Sequence, residues 1–329
     1  MSSRRFMAGV VGLVAAAALL SGCRREEPTV VVYVAVDEHA ARPVLARFTE
    51  RTGIVVVPLF DGEINKTTGL VQRLRREQDR PRADCFWSNE EVQIGRLAQE
   101  GVLRDGRERL VPTFVRSRVL VYDSSRVRSD ELPATWWELA EERFKDRLAM
   151  ADPRFGSTAT HLAGMAAWSS MRGEPDRFDS WCRGLSRNRA RLLSSGNAGV
   201  VRAVASGEAD FGLTDTDDVA AFNAESRGAK LSMVILRHGP APGEGPWVMR
   251  GFAGVVREAP HAEAADRLVE YLGGAEAQSL LASAAPGFHP VAAAADAGFV
   301  DRLEVDPAAC EAMLPAAIER FFVAAGEPG

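Results

Sequence analysis

Apolar and polar positions along this chain fall into a strand-then-helix order that repeats. Residues 29–36 are a β-branched run and read as a buried strand, after which Ala41, Val44, Leu45 and Phe48 recur at helical spacing. Pro43 fits that helix only near its first turn, and Gly53 supplies the stop. Residues 54–60 predict a second strand, and Leu70, Val71 and Leu74 mark a second helix ending before Pro81. A short third strand over Asp84, Cys85, Phe86 and Trp87 leads into a helix over 92–100, which stops at Gly101. Three such alternations predict a parallel sheet covered by helices.

The pattern then restarts. Residues 119–122 predict a strand, and Thr135, Trp136, Trp137 and Glu138 fit a capping box that opens a helix. Residues 148–151 are a strand, and Gly156, Ser157 and Thr158 lead into a small-residue helix reaching about residue 171. Strands follow over 191–194 and 210–213 with a helix over 198–206 between them, then strands over 231–236 and 252–256. Helices over 264–272, 275–284 and 307–325 close the chain. At 329 residues the chain exceeds what one core usually holds, so the elements predict two α/β lobes.

The start of the chain departs from this order. Arg4 and Arg5 precede an apolar run over 6–20 that is too short to span a bilayer comfortably, which reads as a secretory signal over residues 1–22. Leu20, Ser21, Gly22 and Cys23 resemble a bacterial lipobox, so the mature chain is expected to begin at a lipidated Cys23. Residues 23–28 would then be a polar tether, with the protein in the periplasm or at the cell surface as a membrane-anchored lipoprotein. The formal charge of −5 becomes more negative once the two signal arginines are lost, which argues against a nucleic-acid partner. Cys85, Cys182 and Cys310 have no CxxC spacing and are expected to be small buried apolar residues, not a zinc or redox centre.

Candidate chemistry lies in the loops that follow strands, where open α/β sheets bind ligands. Asp37 follows the first strand, a polar loop over 61–68 containing Lys66 follows the second, and Ser88, Asn89 and Glu90 follow Trp87. In the second half, Gly156, Ser157 and Thr158 open one helix, Asn197 opens another, and Thr214, Asp215, Asp217 and Asp218 follow a strand. Asp37, Thr68 and Asn197 also suit plain helix capping. The start at Gly156 suits either a cap or an anion site. Three carboxylates within four positions repel one another unless they are solvated, cap a helix or face a cation, and they are hard donors. The cluster begins like a calcium loop but lacks that loop's glycine and terminal glutamate. Trp87 either lines a cleft or ends a buried strand, and the five histidines show no metal-ligand spacing. No GxSxG elbow, Walker loop, HExxH or GxGxxG is present, so an enzyme is not expected.

Several stretches together resemble the periplasmic solute-binding proteins of ABC importers, specifically the ferric-iron-binding group of type II periplasmic binding proteins. They include Val31 to Tyr33, Lys66 to Leu70, Ala83 to Glu90, Gly156 to Thr160 and Ala205 to Asp210, and the resemblance covers nearly all of 29–290. It implies two α/β lobes joined by hinge strands over a ligand cleft, with a first lobe of 29–118 and 246–290 and a second of 119–245 and 291–329. It places a metal carboxylate at Asn89 or Glu90 and a bound anion at Gly156, Ser157, Thr158 and Asn197. The family's tyrosine pair falls on Asp217 and Asp218, a departure from its ferric signature. Glu90, Asp217 and Asp218 are therefore the expected metal ligands. Asp37, Lys66, Trp87, Ser88, Asn89, Thr214 and Asp215 are expected around the ligand. The expected function is a monomeric, lipid-anchored protein without a resident cofactor, delivering ferric iron with an anion to an ABC permease. Alternatives are binding of an amino-phosphonate or another cationic organic solute, or a periplasmic sensor without transport.

Overall fold

The β-branched run forms β1 (Thr29–Val34), and the periodic segment after it forms α1 (Glu38–Thr52). Gly53 adopts the left-handed conformation at φ 71° and donates its amide to the Thr49 carbonyl, ending α1 where the sequence predicts. Pro43 differs from expectation. The helix starts early enough that Pro43 is its sixth residue, with the ring on the exposed side, so only a solvent-facing hydrogen bond is lost.

The structure is a computed structural model that describes residues 27–60, 66–89, 91–228, 230–299 and 301–326. The expected signal, Cys23 and Glu90 lie outside the described residues.

The first half continues through β2 (Val55–Phe60), α2 (Lys66–Arg76), β3 (Cys85–Ser88) and α3 (Glu91–Gln99). β1 pairs in parallel with both β2 and β3, as the alternation predicts. The long strand β4 (Val111–Tyr122) starts eight residues before the predicted 119. The box at Thr135 forms, with the Glu138 carboxylate accepting the Thr135 amide at 3.0 Å, but it opens only a 3-10 turn over Trp136–Ala140.

Next come β5 (Leu148–Ala151), α4 (Gly156–Met171), α5 (Pro175–Arg187), β6 (Arg191–Leu193), α6 (Gly196–Ala205), β7 (Phe211–Asp215) and α7 (Thr216–Glu225). The sequence reading passes over α5, which buries Phe178, Trp181, Cys182 and Leu185 on one face. The chain ends with β8 (Ser232–Val234), β9 (Val248–Val255), α8 (Ala262–Gly273), α9 (Ala275–Ala284) and α10 (Pro307–Ala325).

The nine strands among the described residues join one curled sheet in the order β2-β1-β3-β9-β4-β7-β5-β6, with β8 also on β4. β4 is its pivot. Residues 111–117 of β4 pair antiparallel with β9, whereas 118–122 pair antiparallel with β7. Apolar residues bury on both faces of each half. Val30, Phe48 and Leu268 pack on one face of the first half, and Tyr33, Leu70 and Phe86 on the other. In the second half Leu120, Trp136 and Phe211 pack against α4, α5 and α10, while Val119, Val200 and Val204 fill the opposite face. The result is a two-lobed α/β architecture in which β4 and β9 run through the junction.

Cys85, Cys182 and Cys310 are free and buried, as their isolated spacing predicts.

Candidate functional site

β7 ends on Asp215, which stands opposite Arg118 of β4 in the antiparallel register. Side chains two apart on a strand share a face, so Arg116 projects beside Arg118 toward the start of α7. Both arginines lie within the protein: Arg118 is 1% exposed and Asp215 0%. Arg118 Nη1 donates to Asp215 Oδ1 at 2.8 Å, and Arg116 Nη1 donates to Asp215 Oδ2 at 3.1 Å. Arg116 Nη1 also reaches both oxygens of Asp217, at 2.9 and 2.7 Å.

Two helix starts converge on the same carboxylate. Ser157, in the first turn of α4, donates its hydroxyl to Asp215 Oδ2 at 2.6 Å, and Asn197, in the first turn of α6, donates Nδ2 to it at 2.9 Å. Asn197 also donates to Ser157 Oγ at 3.0 Å and accepts from Arg118 at 3.1 Å. Ser157, Asn197 and Asp215, which the sequence places near a ligand, thus bond one another directly and share Arg118, which the sequence reading did not select.

Ligand atoms of Asp215, Asp217 and Asp218 all lie within 4.8 Å of one another. Burial pushes the Asp217 carboxyl up to about 6 against the pull of Arg116, with Asp215 adding to the rise. Burial, then Asp217 and Asp215, hold the Asp218 carboxyl well above the usual carboxylate range. Burial opposes the Arg116 charge, but Asp217, Asp215 and Asp218 outweigh it and keep the guanidinium above its ordinary value. Arg116 and Arg118 pair with Asp215 and Asp217, whereas Asp218 has no arginine partner among the described residues. Asp37, at the start of α1 and contributed by the first half of the chain, also raises both Asp217 and Asp218.

Other contacts fix the start of α7. Thr214 donates its hydroxyl to Asp218 Oδ2 at 3.4 Å, and Thr216 donates its hydroxyl to the Gly287 carbonyl at 2.9 Å. Gly287 sits at φ 95°, and a Cβ there would lie 2.6 Å from Asp217 Cα, so only glycine permits this approach.

The remaining candidates scatter. Trp87 is a correction to the cleft reading: it is 1% exposed, packs in the first half's core and donates its indole N–H to Thr113 Oγ1 at 3.1 Å. Its neighbour Ser88 is likewise fully buried, at the end of β3, because sheet and helix cover both faces of that strand. Asn89 is half-buried just beyond β3. Lys66 opens α2, and its side chain lies outside the described residues. Gly156 is exposed at φ 58°, while the Thr158 hydroxyl is buried without a hydrogen-bond partner among the described residues. Asp37 and Asp215 occupy N-cap positions but make no side-chain cap bond, so capping does not account for either carboxylate.

Arg116 and Arg118 escape a sequence reading because charged residues usually mark a solvated face. The available signal is their alternation with Val115, Ser117 and Val119 directly before the apolar run of β4.

Comparison with known proteins places this geometry in context. Over residues 30–288 the chain matches the family described as bacterial extracellular solute-binding protein. It is 26% identical over 276 residues to iron uptake protein A1 of Synechocystis, covering 78% of this chain and 74% of the relative. It is 24% identical over 286 residues to the major ferric iron-binding protein of Neisseria meningitidis serogroup B, covering 80% and 82%. Among solved structures, iron-bound HitA from Pseudomonas aeruginosa superposes with a TM-score of 0.75 at 18% identity, covering 90% of this chain and 99% of the other. The Trichodesmium FutA protein in complex with iron and citrate gives 0.73 at 22% identity, again covering 90% and 99%. These structural likenesses establish the two-lobed fold. The chain belongs to the bacterial extracellular solute-binding proteins, a family of binding proteins and not of enzymes.

Proposed function

We propose that this protein captures ferric iron in the cleft between its lobes and delivers it to an ABC permease while anchored to a membrane through a lipidated Cys23. The observation that carries the reading is the carboxylate cluster at the start of α7, whose ligand atoms lie within 4.8 Å of one another. Asp37 acts on it from the other half of the chain. Carboxylates are hard donors suited to a hard cation. The ferric-iron-binding relatives of similar length support iron as the cargo.

In this reading Asp217 and Asp218 supply donors from the second lobe, and Glu90 supplies one from the first. Thr214 steadies Asp218, and Asp37 adds negative charge across the cleft. The lobes, taken as 29–118 with 246–290 and 119–245 with 291–329, would close by bending β4 and β9. Arrival of a cation relieves the repulsion that burial and neighbouring carboxylates impose on Asp217 and Asp218. The same reading keeps Gly156, Thr158, Asn89 and Lys66 as expected neighbours of the ligand.

The test uses residues 24–329 with Fe³⁺ supplied as a soluble chelate. The expected result is one tightly held ion per chain and a raised thermal midpoint, because a ligand of the native state stabilises it. Asp217→Ala and Asp218→Ala should each weaken binding at least about tenfold. Absence of stoichiometric Fe³⁺ binding would remove iron as the cargo, and full affinity in both variants would remove the site. For the anchor, Cys23→Ala in the full chain should move the protein from the membrane fraction to the soluble one.

A second reading, an amine-bearing solute such as an amino-phosphonate, is favoured by the placement of the tyrosines. The chain has three, and none stands at the cluster. Tyr33 bonds Glu77, Tyr122 ends β4, and Tyr271 packs on Phe48. Titration with 2-aminoethylphosphonate in metal-free buffer separates the two readings. Tight binding there, with none for Fe³⁺, would favour the amine.

A further inference from the structure

Asp215 is surrounded as a bound anion would be. Four side chains from three elements donate to it: Arg116 and Arg118 of β4, Ser157 of α4 and Asn197 of α6. The first turns of α4 and α6 meet there, and helix N-termini favour negative charge. Asp215 Oδ2 accepts from Arg116, Ser157 and Asn197 and Oδ1 from Arg118, so four protein donors hold a carboxylate that offers about four lone-pair sites. Asp215 is one of the three carboxylates of the cluster and is fully buried, with its hydrogen bonds directed to the protein's own donors.

Arginines and helix starts of this kind form a seat that would accept any small oxyanion of matching size. The chain fills that seat from within, at the end of β7. We infer that Asp215 is a built-in anion, a carboxylate occupying a preformed oxyanion site beside the cation cluster, so that cation capture needs no accessory anion from solution. The cation half of this statement rests on the proposed function; the oxyanion seat does not. Removing the side chain should uncover a latent site for a small carboxylate such as formate, held by Arg116, Arg118, Ser157 and Asn197.

The experiment compares wild type, Asp215→Gly and Asp215→Asn. Glycine empties the seat, whereas asparagine fills it without charge. Formate, set against chloride at equal ionic strength, should raise the thermal midpoint of Asp215→Gly saturably and leave wild type and Asp215→Asn unmoved. Fe³⁺ affinity of the glycine variant should fall by about tenfold or more and recover with formate. In wild type, Fe³⁺ affinity should be unchanged by formate, carbonate or phosphate. A formate response equal in wild type and variant, or a wild-type affinity that depends on added carbonate, would overturn the inference. If Asp215→Gly does not fold, the wild-type anion dependence still decides it. If wild type binds no cation, the proposed function fails, and the formate response of the variant still tests the seat.

Discussion

At the scale of single residues, the site is held by charges that are buried and mutually satisfied. Removing one partner of such a pair strands the other in a medium that cannot solvate it, at a cost of roughly 3–5 kcal/mol. Arg118→Met should therefore lower the unfolding free energy by about that amount, more than an exposed pair such as Arg128 with Asp130, and denaturant titration measures both. A loss below about 1 kcal/mol would mean that Asp215 finds other donors. A second buried pair lies away from the cleft. His238 Nδ1 donates to the Gly245 carbonyl at 2.8 Å, so its Nε2 accepts the proton of His161 Nε2 at 2.9 Å. Burial brings His238 down to about 4, and burial with His238 and Arg118 nearby holds His161 well below its ordinary value. The unfolded chain takes up protons as pH falls through about 6.5, whereas the folded chain does so only near the depressed values. The two histidines should thus lower stability as pH falls between about 6.5 and 4, His238 alone by about 3 kcal/mol, while Asp217, whose carboxyl is pushed up to about 6, works in the opposite sense over the same range. Urea midpoints across that range in wild type and His238→Gln isolate the histidine contribution: the variant should lose less stability toward pH 4 than wild type.

At the scale of elements, local rules and long-range packing divide the work. Gly53 at φ 71° closes α1, and a Cβ there would meet no atom within 4 Å. Gly53→Ala should consequently cost about 1 kcal/mol through backbone strain alone. Gly53→Asn should cost less, and thermal unfolding of the two variants distinguishes them. The stop at Gly53, the parallel pairing of β1 to β3 and the acidic cluster after β7 are all legible in sequence, because each depends on neighbours within a few positions. β4 is not. Its middle carries Arg116, Ser117 and Arg118, polar residues that form a buried strand only because Asp215, Asp217 and Thr216 arrive from about a hundred residues away. The Trp136–Ala140 turn fails as a helix for the opposite reason: its cap is local, but Trp136 and Leu139 are claimed by a core that a longer helix would not reach.

For the whole molecule, β4 and β9 pair along the junction between the two halves. α10 spans it as well, packing on α4 and α5 and tied through Glu311 to Arg107 in the segment between α3 and β4. Ligand-induced closure should reduce the radius of gyration measured by small-angle scattering, as in hinge closure around bound solutes. Glu311→Gln, which breaks a tie across the junction, should make the unliganded form more open without changing the core. Identical scattering with and without a ligand that binds stoichiometrically would mean that the halves do not move.

The sequence by itself determined most of the elements, the two-lobed α/β class and the loops where polar residues gather, because hydrophobic periodicity and turn chemistry act over short spans. It also carried the family resemblance, together with the replacement of a tyrosine pair by Asp217 and Asp218. Only the tertiary structure decided which of those polar groups enter the interior and which serve one another. Trp87 and Ser88 went to the core, while Ser157, Asn197 and Asp215 closed on Arg116 and Arg118. The physical reason is that a charge is costly to bury until a partner meets it, and that partner is set by strand register across the sheet, not by distance along the chain.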